Sequence, residues 1–151
     1  MERYIGLDVH TQSCTMAVVG ASGRRLKSMV LETNAKVLIE ALRSIAGSRR
    51  VCMEEGAHSE WLYEVIDPHV DELVVIQPKL REGSKNDAID ALDLAQQMRT
   101  RSWKKRVFKS PQRFSMLREA VRSYEVVTCD VTRAKNRLRA LFRGRGIQVD
   151  E

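Results

Sequence analysis

The chain has 151 residues, of which 43% are hydrophobic and 30% are charged, and its formal net charge is +6 at pH 7. This length suits one domain with an appendage. No apolar run approaches the roughly 20 residues that cross a bilayer, and the first residues lack a signal-peptide pattern, which excludes a membrane protein. Three widely spaced cysteines without zinc-ligand spacing indicate a reduced protein of the cell interior.

The positive charge is concentrated in the last third of the chain. Residues 102–147 contain 13 basic and 3 acidic side chains, a net charge of +10, so the rest of this +6 chain carries −4. A basic segment joined to an acidic body is typical of a protein that holds a polyanion, such as nucleic acid, through that segment. The alternative is a basic helix that is solvated and has no polyanionic partner.

Apolar runs predict five strands, and polar turns separate the first three, which favours an antiparallel meander. The predicted strands cover residues 3–10, 14–19, 25–31, 50–54 and 72–76. Helices are predicted after Thr33 or Asn34, over residues 59–66, and after Ser84 or Asn86. A meander followed by parallel β-α-β units indicates an α/β fold of the ribonuclease H-like type. Its mixed five-stranded sheet is flanked by helices.

A long helix is predicted from Pro111 to Gly144, because proline favours the first helical turn and glycine ends a helix. Its apolar residues keep a heptad spacing with two polar interruptions, which predicts a coiled-coil or antiparallel-helix arm. The seam is Phe114, Leu117, Val121, Tyr124, Thr128, Val131, Lys135, Leu138 and Phe142. We therefore divide the chain into a domain over 1–101 and a basic linker and arm over 102–151, and expect a homodimer through the arm.

Four acidic residues lie where this fold brings distant segments together. Asp8 is in the first strand and Glu54 ends the fourth, and these strands are neighbours in a ribonuclease H-like sheet. Asp87 and Asp90 lie one turn apart on one face of a helix. Burying converging carboxylates costs about several kcal/mol each unless a cation binds. The four acids therefore predict a divalent-metal site for phosphodiester chemistry.

Each acid also has a purely structural explanation. Asp8 could face solvent on an edge strand, and Asp87 and Asp90 would be favourable in a first helical turn, by about 0.3–1 kcal/mol each. Glu54 and Glu55 could be exposed acids at a turn, and either could be the inward one. We favour Glu54, because a buried residue at position 53 would place it beside Asp8.

The histidines do not form a ligand set by sequence. His10 could orient Asp8, although a satisfied strand histidine is the simpler interpretation, and His58 and His69 have no metal-ligand spacing.

Basic residues in three places are predicted to contact nucleic acid: beside the acidic pair, in the linker and in the arm. They are Lys85, Lys104, Lys105, Arg106, Lys109, Arg133, Lys135, Arg137 and Arg139. Lys85 could hold a scissile phosphate or lie in solvent. Trp103 and Phe108, which alternate with the basic residues of the linker, are candidates for stacking on bases.

Four segments, in this order, resemble the motifs of the DEDD-type insertion-sequence transposases, whose N-terminal domain is RuvC-like. They are residues 4–10, 51–63, 77–91 and 133–141, with the D-x-x-D-A of the third motif at 87–91. Asn86 stands where many relatives have threonine, and a single residue separates Glu54 from Gly56 where many have two. The second difference leaves the choice between Glu54 and Glu55 open.

The resemblance implies that Asp8, Glu54, Asp87 and Asp90 hold one or two Mg²⁺ (or Mn²⁺) ions for DNA strand cleavage and transfer. It also implies DNA and a structured guide RNA as partners, in the cytoplasm of a prokaryotic cell. The family has a further domain with a serine nucleophile, so we expect this chain to be an N-terminal part with little recombinase activity alone. The alternatives are a junction-resolving RuvC-like nuclease and a non-catalytic nucleic-acid-binding module. A sugar-kinase or actin-like ATPase half lacks support, since we find no glycine-rich phosphate loop.

Overall fold

The structure, a computed structural model, describes residues 1–78, 86–107, 109 and 112–148. The chain divides into two compact units, residues 1–109 and residues 110–151. The first unit contains β1 (Glu2–Val9), β2 (Ser13–Gly20), β3 (Arg25–Glu32), α1 (Ala35–Arg43), β4 (Ser48–Glu54), α2 (Ser59–Ile66), a short 3-10 turn (Asp67–His69), β5 (Glu72–Ile76), α3 (Asp87–Thr100) and β6 (Arg106–Val107). The second contains α4 (Gln112–Arg143).

The strands form one mixed sheet in the order β3-β2-β1-β4-β5-β6. β1 pairs antiparallel with β2 and parallel with β4, and β4 pairs parallel with β5. The predicted α/β architecture with flanking helices is confirmed and agrees with a ribonuclease H-like fold. The predicted number of five strands is wrong, because residues 106–107 form a sixth strand antiparallel to β5. A two-residue strand has no periodicity of its own and exists only through its partner.

Hydrophobic residues pack on both faces of the sheet, and alternation along β1 assigns each side chain to one face. Ile5 and Leu7 pack on the face covered by α1 and α2, whereas Tyr4 packs with α3 on the other. The first core also includes Val51, Met53, Leu38, Leu42, Leu62 and Ile66. The second includes Val19, Cys52, Val74, Ile76, Leu94, Ala95 and Met98. Burial of each large aliphatic side chain stabilises the fold by about 1.5–3 kcal/mol.

Two asparagines begin the helices on opposite faces. The Asn34 side chain accepts hydrogen bonds from the backbone N–H groups of residues 36 and 37, and it caps α1. The Asn86 side chain accepts from those of residues 88 and 89, at 3.1 and 3.4 Å, and caps α3. A cap of this kind contributes about 0.5–2 kcal/mol. Of the alternative caps predicted from the sequence, Asn34 and Asn86 therefore cap their helices. Thr33 donates its hydroxyl to the His10 carbonyl, and Ser84 lies outside the described residues.

Gly6 allows α3 to lie directly on β1. A Cβ atom at this position would lie 2.0 Å from the carbonyl oxygen of Ala91 and 2.5 Å from the backbone nitrogen of Ala95. No residue with a side chain facing α3 fits in that space without moving helix backbone. The close approach brings the first turn of α3 towards the end of β1, where Asp8 lies.

The second unit is dominated by α4, a helix of 32 residues. Its apolar seam residues Leu117, Val121, Tyr124, Val131 and Leu138 are all exposed. The helix lies within the predicted range, and its assignment as a coiled coil stays a prediction. Across the described residues, no helix combines the length and the hydropathy needed to cross a membrane.

Candidate metal centre

Asp8 and Glu54 lie on neighbouring parallel strands at the carboxyl ends of both. Leu7 pairs with Met53 in the β1–β4 register, and both of those side chains are fully buried on the α1–α2 face. Because strand side chains alternate, the next residue on each strand faces α3. Burial raises the pKa of the Cys52 thiol to about 12, and the nearby carboxylates of Glu54 and Asp93 add to this shift. Cys52 itself packs in the core under α3, and alternation along β4 puts Glu54 on the same side.

Three side chains converge at this edge of the sheet. The Nε2 atom of His10 lies 3.3 Å from Oδ2 of Asp8 and 3.3 Å from Oδ1 of Asp87. Within the described part of the chain, these three residues form the group whose ligand atoms all lie within 4.8 Å of one another. Two of the four predicted acids, Asp8 and Asp87, are therefore brought together, along with a histidine that the sequence analysis did not assign to the site.

Glu54 and Asp90 are outside this group of three ligand atoms. Met53 pairs with Leu7, so Glu54 and Asp8 are the residues that follow this pair on the two strands. Glu54 also lines the same cavity as Asp8. Asp90 is partly buried and lies one turn beyond Asp87 on α3. Both acids are thus carried by the elements that bring Asp8 and Asp87 together.

The contacting atoms fit a bound cation. Oδ2 of Asp8 and Nε2 of His10 are shielded from solvent, and neither makes a hydrogen bond within the described residues. A buried polar atom without a partner costs about 1–3 kcal/mol. Two carboxylate oxygens and an imidazole nitrogen are donors that divalent ions such as Mg²⁺, Mn²⁺ and Zn²⁺ accept to different extents. A divalent ion among these atoms would therefore offset the cost of holding them together.

A cavity of about 140 Å³ opens beside these residues. Its lining includes Asp8, His10 and both Glu54 and Glu55, together with residues 56–59 at the start of α2. Water occupies about 30 Å³ per molecule in the liquid, so the cavity has room for an ion with part of its hydration shell or for a phosphate oxygen. Its position at the carboxyl ends of parallel strands is the usual one for ligand sites in α/β sheets.

Glu55 makes a different set of contacts from Glu54. The Lys109 ammonium lies 2.8 and 2.7 Å from the two carboxylate oxygens of Glu55 and 3.2 Å from Oε2 of Glu60. It also donates to the Ser59 hydroxyl at 2.9 Å. With Glu55 engaged by Lys109 and Glu54 on the α3 side, the geometry supports Glu54 as the acid of the candidate site.

Lys109 was expected to present its charge to nucleic acid, and the structure places it differently. Its side chain is 3% exposed, and its charge is balanced by two carboxylates. Burying an ammonium without such partners would be strongly unfavourable. The pairing joins residues that are 49 to 54 positions apart, which no local charge pattern could indicate.

The other predicted nucleic-acid contacts fall in several environments. Lys104, Lys105, Arg106, Arg133, Lys135 and Arg137 are exposed, and Arg139 is partly exposed. Trp103 packs against the core under α3, with the guanidinium carbon of Arg101 6.0 Å from its ring centre. Lys85 and Phe108 lie outside the described residues. Contact between these basic side chains and a nucleic acid stays a prediction.

Comparisons with known proteins identify the family of this chain. No curated protein matches the chain significantly. The family model of the IS110-type DEDD transposases, described as "Transposase", matches residues 5–145, which includes Asp8, Glu54, Asp87 and Asp90. The match covers nearly the whole sequence, so the chain belongs to the DEDD-type IS110 transposase family.

Proposed function

We propose that this chain supplies the metal-binding part of a DNA transposase that cuts and transfers DNA strands. In this proposal Asp8, Glu54, Asp87 and Asp90 hold Mg²⁺ or Mn²⁺. The observation that carries it is the convergence of Asp8, His10 and Asp87, whose ligand atoms lie within 4.8 Å of one another at the sheet edge. When bound, a divalent ion would stabilise negative charge on a phosphodiester and polarise its oxygens.

The residues of the chain fix the geometry in advance. β1 and β4 hold Asp8 and Glu54 at neighbouring positions, and the contact of α3 with Gly6 brings Asp87 to them. Because these elements are packed into the core, the carboxylates need little rearrangement when a substrate arrives, which is what electrostatic catalysis requires. The acids themselves bind and orient charge, and none of them supplies an attacking hydroxyl. We therefore expect weak metal binding and little recombinase activity from this chain by itself.

Asp8→Asn tests the metal centre. The substitution keeps the shape of the side chain and removes its charge, so it should lower Mg²⁺ and Mn²⁺ affinity at least tenfold in isothermal titration calorimetry. Glu40→Gln is the matched control, since Glu40 is an exposed acid on α1, on the other side of the sheet. Equal metal affinity in Asp8→Asn and the unsubstituted protein would count against the proposed site.

We propose DNA and a structured guide RNA as partners of the chain, and a homodimer formed through α4. The exposed basic side chains of α4 and of the segment before it support binding to polyanions, and the exposed apolar seam of α4 supports self-association. Analytical ultracentrifugation should find a dimer, and Leu117→Glu with Leu138→Glu should make it monomeric. Affinity for a structured RNA and for duplex DNA should fall steeply between about 50 and 200 mM salt. A salt-independent affinity would contradict charge-driven binding.

A further inference from the structure

His10 lies between two of the proposed ligands, and it makes no hydrogen bond to either through Nε2. Nε2 is 3.3 Å from each of two carboxylate oxygens, one on Asp8 and one on Asp87. Nε2 forms no hydrogen bond to either oxygen within the described structure. The atom is nevertheless buried. A buried nitrogen without a hydrogen bond is unfavourable unless another partner binds it.

The same distances suit two adjacent positions on one metal ion. Ligand atoms about 2.1 Å from an octahedral ion are about 3.0 Å apart when they occupy neighbouring positions. The separations of 3.3 Å between Nε2 and the two oxygens are close to that spacing. An imidazole nitrogen and two oxygens can therefore share one ion with little movement.

The backbone holds His10 in this place. Its N–H donates to the Ser13 carbonyl at 2.9 Å, and its carbonyl accepts the Thr33 hydroxyl at 2.8 Å. These bonds tie the residue to the β1–β2 turn on one side and to the end of β3 on the other. The backbone of His10 is consequently held by its neighbours in the sheet, directly after the end of β1.

We propose that His10 is a nitrogen ligand of the divalent ion held by Asp8 and Asp87, and that it makes the site prefer Mn²⁺ to Mg²⁺. Imidazole binds transition-metal ions well, whereas Mg²⁺ prefers an all-oxygen environment. This inference rests on the proposed function, because it requires an ion at the two aspartates. It adds a ligand outside the four acids and a preference that those acids alone do not explain.

Electron spin echo envelope modulation of the full-length chain loaded with Mn²⁺ tests the proposal directly. The spectrum should contain ¹⁴N modulation, and labelling the histidines with ¹⁵N should replace it with the ¹⁵N pattern in the unsubstituted protein. His10→Gln should abolish the modulation. His58→Gln should keep it, because His58 lines the same cavity but is outside the three-residue group.

Calorimetric titrations with Mn²⁺ and Mg²⁺ separate ligation from a structural role. His10→Gln should weaken Mn²⁺ binding by at least about tenfold, since even the loss of an outer-shell partner costs about 10–100-fold, and leave Mg²⁺ affinity within about threefold. Equal losses for both ions would overturn the preference for Mn²⁺. Mn²⁺ binding without histidine modulation would overturn His10 as a ligand and leave the proposed function standing. Absence of binding by either ion would overturn both proposals.

Discussion

Gly6→Ala tests whether the close packing of α3 on β1 positions the acids of the candidate metal site. The added Cβ would lie 2.0 Å from the Ala91 carbonyl oxygen, 2.5 Å from the Ala95 nitrogen and 2.8 Å from Cβ of Leu94. All three atoms belong to α3, and the two nearest are backbone atoms. A side chain cannot rotate out of the way, so the helix itself has to move.

The size of the effect follows from these distances. Restoring a contact of about 3.5 Å requires α3 to move away from β1 by about 1.5 Å. Overpacking a core in this way costs about 1–3 kcal/mol, and we expect about 3 kcal/mol because the obstacle is helix backbone. For a domain of about 100 residues, that loss lowers Tm by about 12–24 °C. Metal affinity should fall as well, because α3 carries Asp87 away from Asp8.

Circular dichroism melting curves and metal titrations measure both effects. Gly20→Ala is the matched control, since a Cβ at this strand position would lie 3.5 Å from Cδ1 of Leu26, an ordinary contact. It should change Tm by only a few degrees and leave metal affinity unaltered. A Gly6→Ala protein that melts within about 3 °C of the unsubstituted chain would refute the direct packing of α3 on β1.

Three further predictions follow from caps, buried charge and buried thiols. Asn86→Ala and Asn34→Ala should each lower the unfolding free energy by about 1 kcal/mol. Only Asn86→Ala should also weaken metal binding, because it loosens the helix that bears Asp87 and Asp90. Equal metal affinities in the two variants would contradict this prediction. Lys109→Met should cost about 1–3 kcal/mol in a urea titration, whereas exposed Lys104→Met should stay within about 0.5 kcal/mol. In native protein at pH 8, of the three cysteines only the exposed Cys129 should react rapidly with a thiol reagent. Burial raises the pKa of both Cys14 and Cys52 to about 12 and keeps these thiols protonated. Rapid reaction of a second thiol would refute this prediction.

The raised pKa values of Cys14 and Cys52 also determine how the unfolding free energy changes at high pH. The ordinary value is 9.0, and the folded protein favours the neutral thiols up to about pH 12. Their contribution to stability is therefore complete below about pH 9 and declines as the pH rises through that interval, because the unfolded chain releases the protons first.

The local patterns of the sequence predict most of the sheet and half of the site. Alternation in β1 places Asp8 opposite Ile5 and Leu7, and the same parity argument in β4 places Glu54 opposite Met53, as the core positions of Leu7 and Met53 require. These inferences succeed because strand periodicity is a property of a few consecutive residues.

Other features depend on contacts between distant segments. His10 shares a face with Asp8 in the sequence pattern, but its place beside Asp87 depends on α3 crossing β1 at Gly6. Lys109 looks like an exposed linker residue until Glu55 and Glu60 are seen around it. Neither position could be predicted without the tertiary packing that creates it.

Glu54 and Glu55 are consecutive residues whose carboxylates have different surroundings. The Glu54 carboxylate lies at the candidate metal site, and the Glu55 carboxylate forms an ion pair with the ammonium of Lys109, the last residue of the first unit. We therefore expect the ion pair of Glu55 with Lys109 to fix the backbone beside Glu54, so that a charge at position 109 supports the position of a proposed metal ligand.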